Sequence, residues 1–296
     1  MKHERCYVIY ADDAYFEIAE KCAFSIRCFS EYPIYAYMLN SDRKIGVYGT
    51  ETIRWDCDIE EDSSGRYLRS EGNFHINRSN KSIYSILVQR PLIVRHALEN
   101  FANSVAYVDS DSVATKYVDR IFSFFLEDSK YPAFVEGIYN YLSFGNRGIS
   151  GASDLKGTLE YPACVLFGVD QSIRDKYRQT GYFVSGQECV EFLQEWYEMC
   201  VHPHVIESIW LYAPFNEETI LNVLLWKKKI FDGIPYIYIN GGLDYMIELQ
   251  SIGFNGERQH VRSWFSIPTK EEDLLFFHGQ KEILEIDRMI EEIRRK

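Results

Sequence analysis

Two aspartates stand two positions apart, Asp109 and Asp111, directly after an apolar run in SVAYVDSDSVA (104–114). A hydrophobic strand that ends in Asp-Ser-Asp presents both carboxylates toward one point. In an open α/β sheet, ligands bind outside the carboxyl ends of the strands. Hard divalent cations take oxygen ligands, and one or two carboxylates plus substrate phosphates is the usual arrangement for Mg²⁺ or Mn²⁺. A cation held there would neutralise a diphosphate and stabilise it as a leaving group. The spacing alone is not specific. Asp56-Cys57-Asp58 and Glu60-Glu61-Asp62 also occur, and for those a solvated loop is the ordinary reading. The apolar run before Asp109 sets it and Asp111 apart.

His278 follows the apolar stretch Leu274-Leu275-Phe276-Phe277 and precedes Gly279, so it too falls at a strand end. An imidazole among carboxylates biases a site toward Mn²⁺ without excluding Mg²⁺. Lys281 nearby would neutralise a phosphate oxygen, with an ordinary surface lysine as the alternative. Glu217 and Glu218 open NEETILNVLLWKKK (216–229). Carboxylates in the first turn and lysines in the last complement a helix dipole whether or not they do chemistry. Asp12-Asp13 stands where it would cap the helix that follows. His202-Pro203-His204 lacks the acids or cysteines of a zinc pattern and reads as a loop pair. No Gly-x-Ser-x-Gly is present, and no cysteine has a local signature tying it to a histidine.

These residues need elements to position them. CYVIYA (6–11) reads as a buried strand, Tyr15 to Phe29 as a helix with Ile18, Cys22 and Ile26 on one face, and PIYAYML from Pro33 as a second strand. That order is a βαβ unit and predicts a parallel sheet. Residues 56–81 read as a polar excursion. IYSILVQRPLIVRHALENF (83–101) is helical on both sides of Pro91, which marks a kink or the first turn of a second helix. Residues 131–181, rich in Gly, Tyr and Pro, are expected to be substrate-facing loops. GQECVEFLQEWYEMC (186–200) predicts an amphipathic helix burying Cys189, Phe192, Leu193 and Trp196. IPYIYI and DLLFFHG read as late strands. KEILEIDRMIEEIRRK ends the chain with Ile283, Ile286, Ile290 and Ile293 at helical spacing. That stripe packs on the body of the domain, with a homodimer contact as the alternative.

The 296 residues are 46% hydrophobic and 16% aromatic, enough for a continuous core. A formal net charge of −12 repels phosphate backbones and excludes nucleic acid as an expected partner. The seven cysteines are scattered and never spaced as Cys-x-x-Cys. A reducing compartment is the simpler reading, with neither a disulfide framework nor a cysteine zinc site. No apolar segment approaches the ~20 residues that span a bilayer. A cytoplasmic protein is expected, peripheral if it meets a membrane.

The order of motifs resembles the retaining GT-A glycosyltransferases related to glycogenin and the bacterial lipopolysaccharide galactosyltransferases (family 8-like). Four segments carry the resemblance across most of residues 6–281: YADDAY (10–15), YVDSD (107–111), NEETILN (216–222) and FFHGQK (276–281). Gln179-Thr180-Gly181 is similar to the family's Asn-Ala-Gly strand start. The resemblance implies that Ala11 and Asp12 meet the base of a nucleotide and that Tyr15 covers it. It implies Arg90 and Ser110 beside the donor, with Lys81 as an alternative to Arg90. Asp109, Asp111 and His278 become the ligands of Mn²⁺ or Mg²⁺, and Gly279 and Lys281 contact the diphosphate. Glu217 and Glu218 fall near the donor sugar and reaction centre. His278, Gly279 and Lys281 stand closer together than in the family, and its following Pro-Trp is absent.

The implied fold is α/β, a Rossmann-like GT-A sheet, mixed but mostly parallel and flanked by helices. One domain is expected over 1–281, with an amphipathic helical tail over 282–296. The implied reaction moves a sugar from a nucleoside diphosphate sugar, a UDP-sugar by resemblance, to a glycan, lipid-linked or protein hydroxyl, with retention. An inverting transferase with Glu217 or Glu218 as base, a sugar-nucleotide pyrophosphorylase and a non-catalytic carbohydrate-binding relic are the alternatives. The pyrophosphorylase is disfavoured because the loop after the first strand, ADDAYFE, has no glycine.

Overall fold

The computed structural model describes residues 2–58, 81–136, 161–169, 178–206, 216–230, 233–234, 274–279 and 283–295. The strands are β1 (His3–Ala11), β2 (Ile34–Leu39), β3 (Thr50–Trp55), β4 (Ala102–Val108), β5 (Val113–Ala114), β6 (Ala133–Glu136), β7 (Arg178–Gly186) and β8 (Phe276–Phe277). The helices are α1 (Phe16–Arg27), α2 (Lys81–Leu87), α3 (Gln89–Asn100), α4 (Tyr161–Leu166), α5 (Val190–Cys200), α6 (Asn216–Lys228) and α7 (Ile283–Arg295). The main sheet runs β3-β2-β1-β4-β7-β6. Strands β3, β2, β1 and β4 are mutually parallel, while β7 is antiparallel to both β4 and β6. This is the mixed, mostly parallel sheet with flanking helices that the resemblance implies, and the βαβ pattern accounts for its parallel part.

Both faces of the sheet are covered, which is why β1 and β2 read as continuous apolar runs. On one face, Cys6, Val8 and Tyr10 of β1 join Leu98 of α3, Leu193 and Trp196 of α5, and Leu221 and Leu224 of α6. On the other, Tyr7, Ile9 and Ala11 meet Ala19, Cys22, Ala23 and Ile26 of α1. The period-two alternation of a strand thus feeds two cores from one segment.

Several boundaries differ from the sequence reading. Strand β1 starts at His3. The edge strand β3, polar and only partly buried, has too little apolar alternation to be read from sequence. Helix α3 begins at Gln89, so Pro91 lies in a first turn, where its missing N–H costs nothing. A 3₁₀ turn over Gln187–Cys189 precedes α5. Helix α6 is buried all round from Glu217 to Leu225, an embedded helix rather than an amphipathic one. The late strand reading DLLFFHG narrows to two residues, and of IPYIYI only Ile234 is described, in a parallel bridge with Val135. Most of the expected loops at 56–81 and 131–181 lie outside the described residues.

Helix α7 lies against α1 and the small β5–β8 sheet. Ile286, Met289 and Ile290 pack with Val113, Leu274 and Phe277, and Ile18 and Cys28 close the cluster. Lys21 of α1 pairs with Asp287 at 2.5 Å. All seven cysteines are free.

Candidate functional site

Asp109 is the first residue past β4. Its backbone N–H donates to the Gly181 carbonyl at 2.8 Å, extending the β4–β7 pairing by one step. Its side chain is oriented from behind. Oδ1 accepts from the Tyr107 hydroxyl at 2.7 Å and from Arg90 Nη2 at 3.0 Å. Oδ2 lies 3.5 Å from His278 Nε2, and Asp111 Oδ1 lies 3.3 Å from the same nitrogen. The potential ligand atoms of Asp109, Asp111 and His278 lie within 4.8 Å of one another. Gly181 walls this space. A Cβ there would stand 2.6 Å from Asp109 Oδ2 and 3.8 Å from His278 Cε1.

His278 is delivered from the far end of the chain by β8, which pairs with β5 through Val113↔Phe277 and Ala114↔Phe276. The Thr115 N–H donates to the Leu275 carbonyl at 2.9 Å. The Tyr182 ring meets the imidazole edge-on, with centroids 5.3 Å apart. Gly279 follows with φ +80, a left-handed conformation that a glycine adopts without strain. Sequence reading placed Asp109, Asp111 and His278 at strand ends, and the structure brings the three together.

Arg90 lies 4% exposed at the centre of a second layer. Its guanidinium sits 5.0 Å from the Tyr107 ring centroid and 5.9 Å from that of Tyr10. Nη1 donates to Glu217 Oε1 at 2.8 Å and also to the Thr180 hydroxyl oxygen. Thr180 Oγ1 in turn lies 3.1 Å from Glu217 Oε1 and 3.2 Å from Glu218 Oε2. Its single proton serves one of those carboxylates at a time. The Thr180 N–H donates to Glu218 Oε2 at 3.0 Å. Arg90 therefore spends both terminal nitrogens on protein groups, rather than presenting them to a donor. Glu217 and Glu218 are buried inside this network, not merely complementing the α6 dipole. Glu217 Oε2 and Arg90 Nε are buried with no hydrogen-bond partner among the described residues.

The charges are strongly coupled. Burial pushes the Asp109 carboxyl up, but Arg90, His278 and the Tyr107 hydroxyl together hold it below the usual carboxylate range. Burial pulls the His278 imidazole down, but Asp111 and Asp109 outweigh it and raise the pKa to about 10. Two carboxylates thus share one proton-bearing imidazole. A divalent cation with oxygen and imidazole ligands fits this donor set, and it would take the place of that proton.

The other expected residues are more dispersed. Ala11 is the buried last residue of β1. The Asp12 carboxylate accepts the Tyr15 N–H at 3.1 Å, capping a 3₁₀ turn as the helix-cap alternative predicts. Tyr15 is 39% exposed. The buried Ser110 hydroxyl donates to the Tyr10 carbonyl and ties the β4 end to β1. Lys281 lies outside the described residues. His202 and His204 stand with ring centroids 5.5 Å apart. Sequence reading gave no role to Tyr107 or Thr180 and missed the wall formed by Gly181. Tyr107 carried a signal, since its i+2 relation to Asp109 puts both side chains on one side of an extended segment.

No protein-family model matches the chain, and no curated protein does. Solved structures do. WbbM, a bifunctional glycosyltransferase in its apo form, superposes with a TM-score of 0.56 at 13% identity, covering 100% of this chain and 52% of that one. This chain thus spans about half the length of WbbM. The galactosyltransferase LgtC, in complex with donor and acceptor sugar analogues, gives 0.51 at 10% identity, covering 98% of this chain and 95% of that one. At these identities the likeness is one of fold. The chain has the α/β architecture of GT-A glycosyltransferase structures.

Proposed function

We propose that this chain is a metal-dependent glycosyltransferase that moves a sugar from a nucleoside diphosphate sugar, a UDP-sugar, to a hydroxyl acceptor with retention. The observation that carries the reading is the convergence of Asp109, Asp111 and His278 at the carboxyl end of β4. These three side chains would hold Mn²⁺ or Mg²⁺, whose positive charge would stabilise a departing diphosphate. The protein's own part is orientation. Tyr107 and Arg90 fix Asp109 so that one oxygen faces the site, and the same guanidinium links that aspartate to Glu217. Preorganised groups of this kind need no rearrangement as charge develops.

Ala11, Asp12 and Tyr15 at the end of β1 are assigned to the nucleoside, and Ser110, Gly279 and Lys281 to the diphosphate side. Glu217 and Glu218 lie beside the donor sugar. Their burial within the Arg90–Thr180 network favours a positioning role over proton abstraction from an acceptor, and so favours retention over inversion. The acceptor is a glycan, lipid-linked or protein hydroxyl. The full chain incubated with UDP-glucose and UDP-galactose in Mn²⁺ should release UDP, and EDTA should abolish release. Asp109→Ala should lower the rate by about 100-fold or more. Release that is indifferent to both EDTA and Asp109→Ala would rule out this assignment of the site.

A further inference from the structure

A cavity of about 520 Å³ opens between the carboxyl end of β3, the start of α2–α3 and the end of α5, a size typical of ligand pockets. Val88, Leu92, Val201 and Ile206 contribute aliphatic side chains to its lining. Three partly exposed rings, Trp55, Tyr84 and Tyr197, stand in its walls, with Asp56 and Asp58 beside them. Among the described residues, no lysine or arginine lines it. Much of its polar lining is already satisfied. Trp55 Nε1 donates to Gln89 Oε1 at 3.1 Å, and the Tyr84 hydroxyl donates to the Cys200 carbonyl at 2.5 Å. Those bonds hold two of the rings in place. Among the described residues, the Asp58 carboxylate and the Tyr197 hydroxyl have no hydrogen-bond partner.

Its position relates it to the acid cluster. Trp55 ends β3 and Asp56 follows it, as Asp109 follows β4, so both features lie at the same edge of the parallel sheet. Strand β3 stands three places from β4 in the sheet, a lateral separation of roughly 14 Å, within reach of a short oligosaccharide. Gln89 in the cavity wall immediately precedes Arg90, which holds Asp109.

We propose that this cavity is an outer acceptor subsite that takes an uncharged or amino-bearing sugar ring, remote from the hydroxyl that receives the transferred sugar. A sugar ring offers an apolar C–H face to aromatic walls and hydroxyl donors to carboxylates. Asp56 is paired with Arg54 Nε at 2.8 Å, while Asp58 carries no ion pair among the described residues and leaves its negative charge to disfavour a carboxylated or phosphorylated ring. The proposal rests on the transferase reading above, and its test separates the two.

The fluorescently labelled full chain is applied to an array of immobilised neutral, amino-bearing and carboxylated oligosaccharides. In parallel, UDP is titrated into the same protein with Mn²⁺. Wild-type protein should bind neutral or amino-bearing glycans and not carboxylated ones. Tyr197→Ala and Asp58→Asn should each lower that binding about tenfold, equivalent to ~1.4 kcal/mol, while UDP binding stays unchanged. Asp58 is exposed, so its substitution leaves folding intact and guards against misreading a misfolded Tyr197 variant. No array binding, binding that survives both substitutions, or preference for carboxylated glycans would overturn the subsite. Glycan binding that both substitutions weaken, with no UDP binding in any protein, would support the subsite and count against the donor reading.

Discussion

Asp109 Oδ1 is occupied by Tyr107 and Arg90, which leaves Oδ2 to face His278 and Asp111. Tyr107→Phe removes one of those anchors at nearly constant volume. It should weaken Mn²⁺ binding by about 10–100-fold, as loss of a ligand's supporting hydrogen bond usually does, with a folding cost of about 1 kcal/mol. Calorimetric titration and urea denaturation separate the two effects, and unchanged Mn²⁺ affinity would remove Tyr107 from the site. Arg90→Met should instead strike stability, because it strands the buried Glu217 carboxylate. Breaking a buried pair costs about 3–5 kcal/mol, read as a lower urea midpoint, and Arg90→Lys should not restore the forked contacts to Asp109 and Glu217. Protonation gives a third test. The His278 pKa of about 10 in the folded chain exceeds the unfolded value of ~6.5. The paired imidazolium therefore stabilises the metal-free fold fully below ~6.5, and that contribution fades as pH rises toward 10. Metal binding needs neutral imidazole, so Mn²⁺ affinity should climb with pH across the same window. At pH 7.5, titrations in buffers of different ionisation enthalpy should show proton release that His278→Ala abolishes; pH-independent affinity would contradict it.

At the scale of elements, what was legible in the sequence was whatever local pattern controls. The apolar run before Asp109 marks a strand end, and the alternation along β1 and the 3–4 spacing along α1 mark their faces. The Arg90 network was not legible, since its partners lie 19 and 127 positions away and no local period reports them. Nor was β3, whose half-exposed edge lacks an apolar signature. The two-residue β5–β8 pairing also escaped, because its position depends on α7. That dependence is testable. Met289, 2% exposed, packs in the cluster with Val113 and Phe277, directly before His278. Met289→Ala should cost about 2–5 kcal/mol and should also weaken Mn²⁺ binding by letting β8 shift. Leu193→Ala, in the core on the other side of the sheet, should destabilise comparably while sparing metal affinity. Equal losses of affinity in both variants would show that α7 has no particular hold on the site.

For the whole molecule, the acidic balance and the acid cluster point the same way. A chain with net charge −12 binds an anionic diphosphate only if local positive charge reverses the sign, and the described residues around Asp109 and Asp111 commit their one buried arginine to protein carboxylates. No described helix is long and apolar enough to cross a membrane. The parallel pairing of β1 with β2 followed from the βαβ pattern, while the full sheet order and the cavity beside β3 arise from elements distant in sequence and had no sequence signature. The central claim is that a divalent cation on Asp109, Asp111 and His278 creates a nucleoside diphosphate site. Its most direct test is calorimetric titration of the full chain with UDP, in Mn²⁺ and again in EDTA, beside an Asp109→Ala/Asp111→Ala variant. UDP should bind only in Mn²⁺ and only to the wild-type chain. Binding that persists in EDTA or in the variant, or its absence under every condition, would contradict the account.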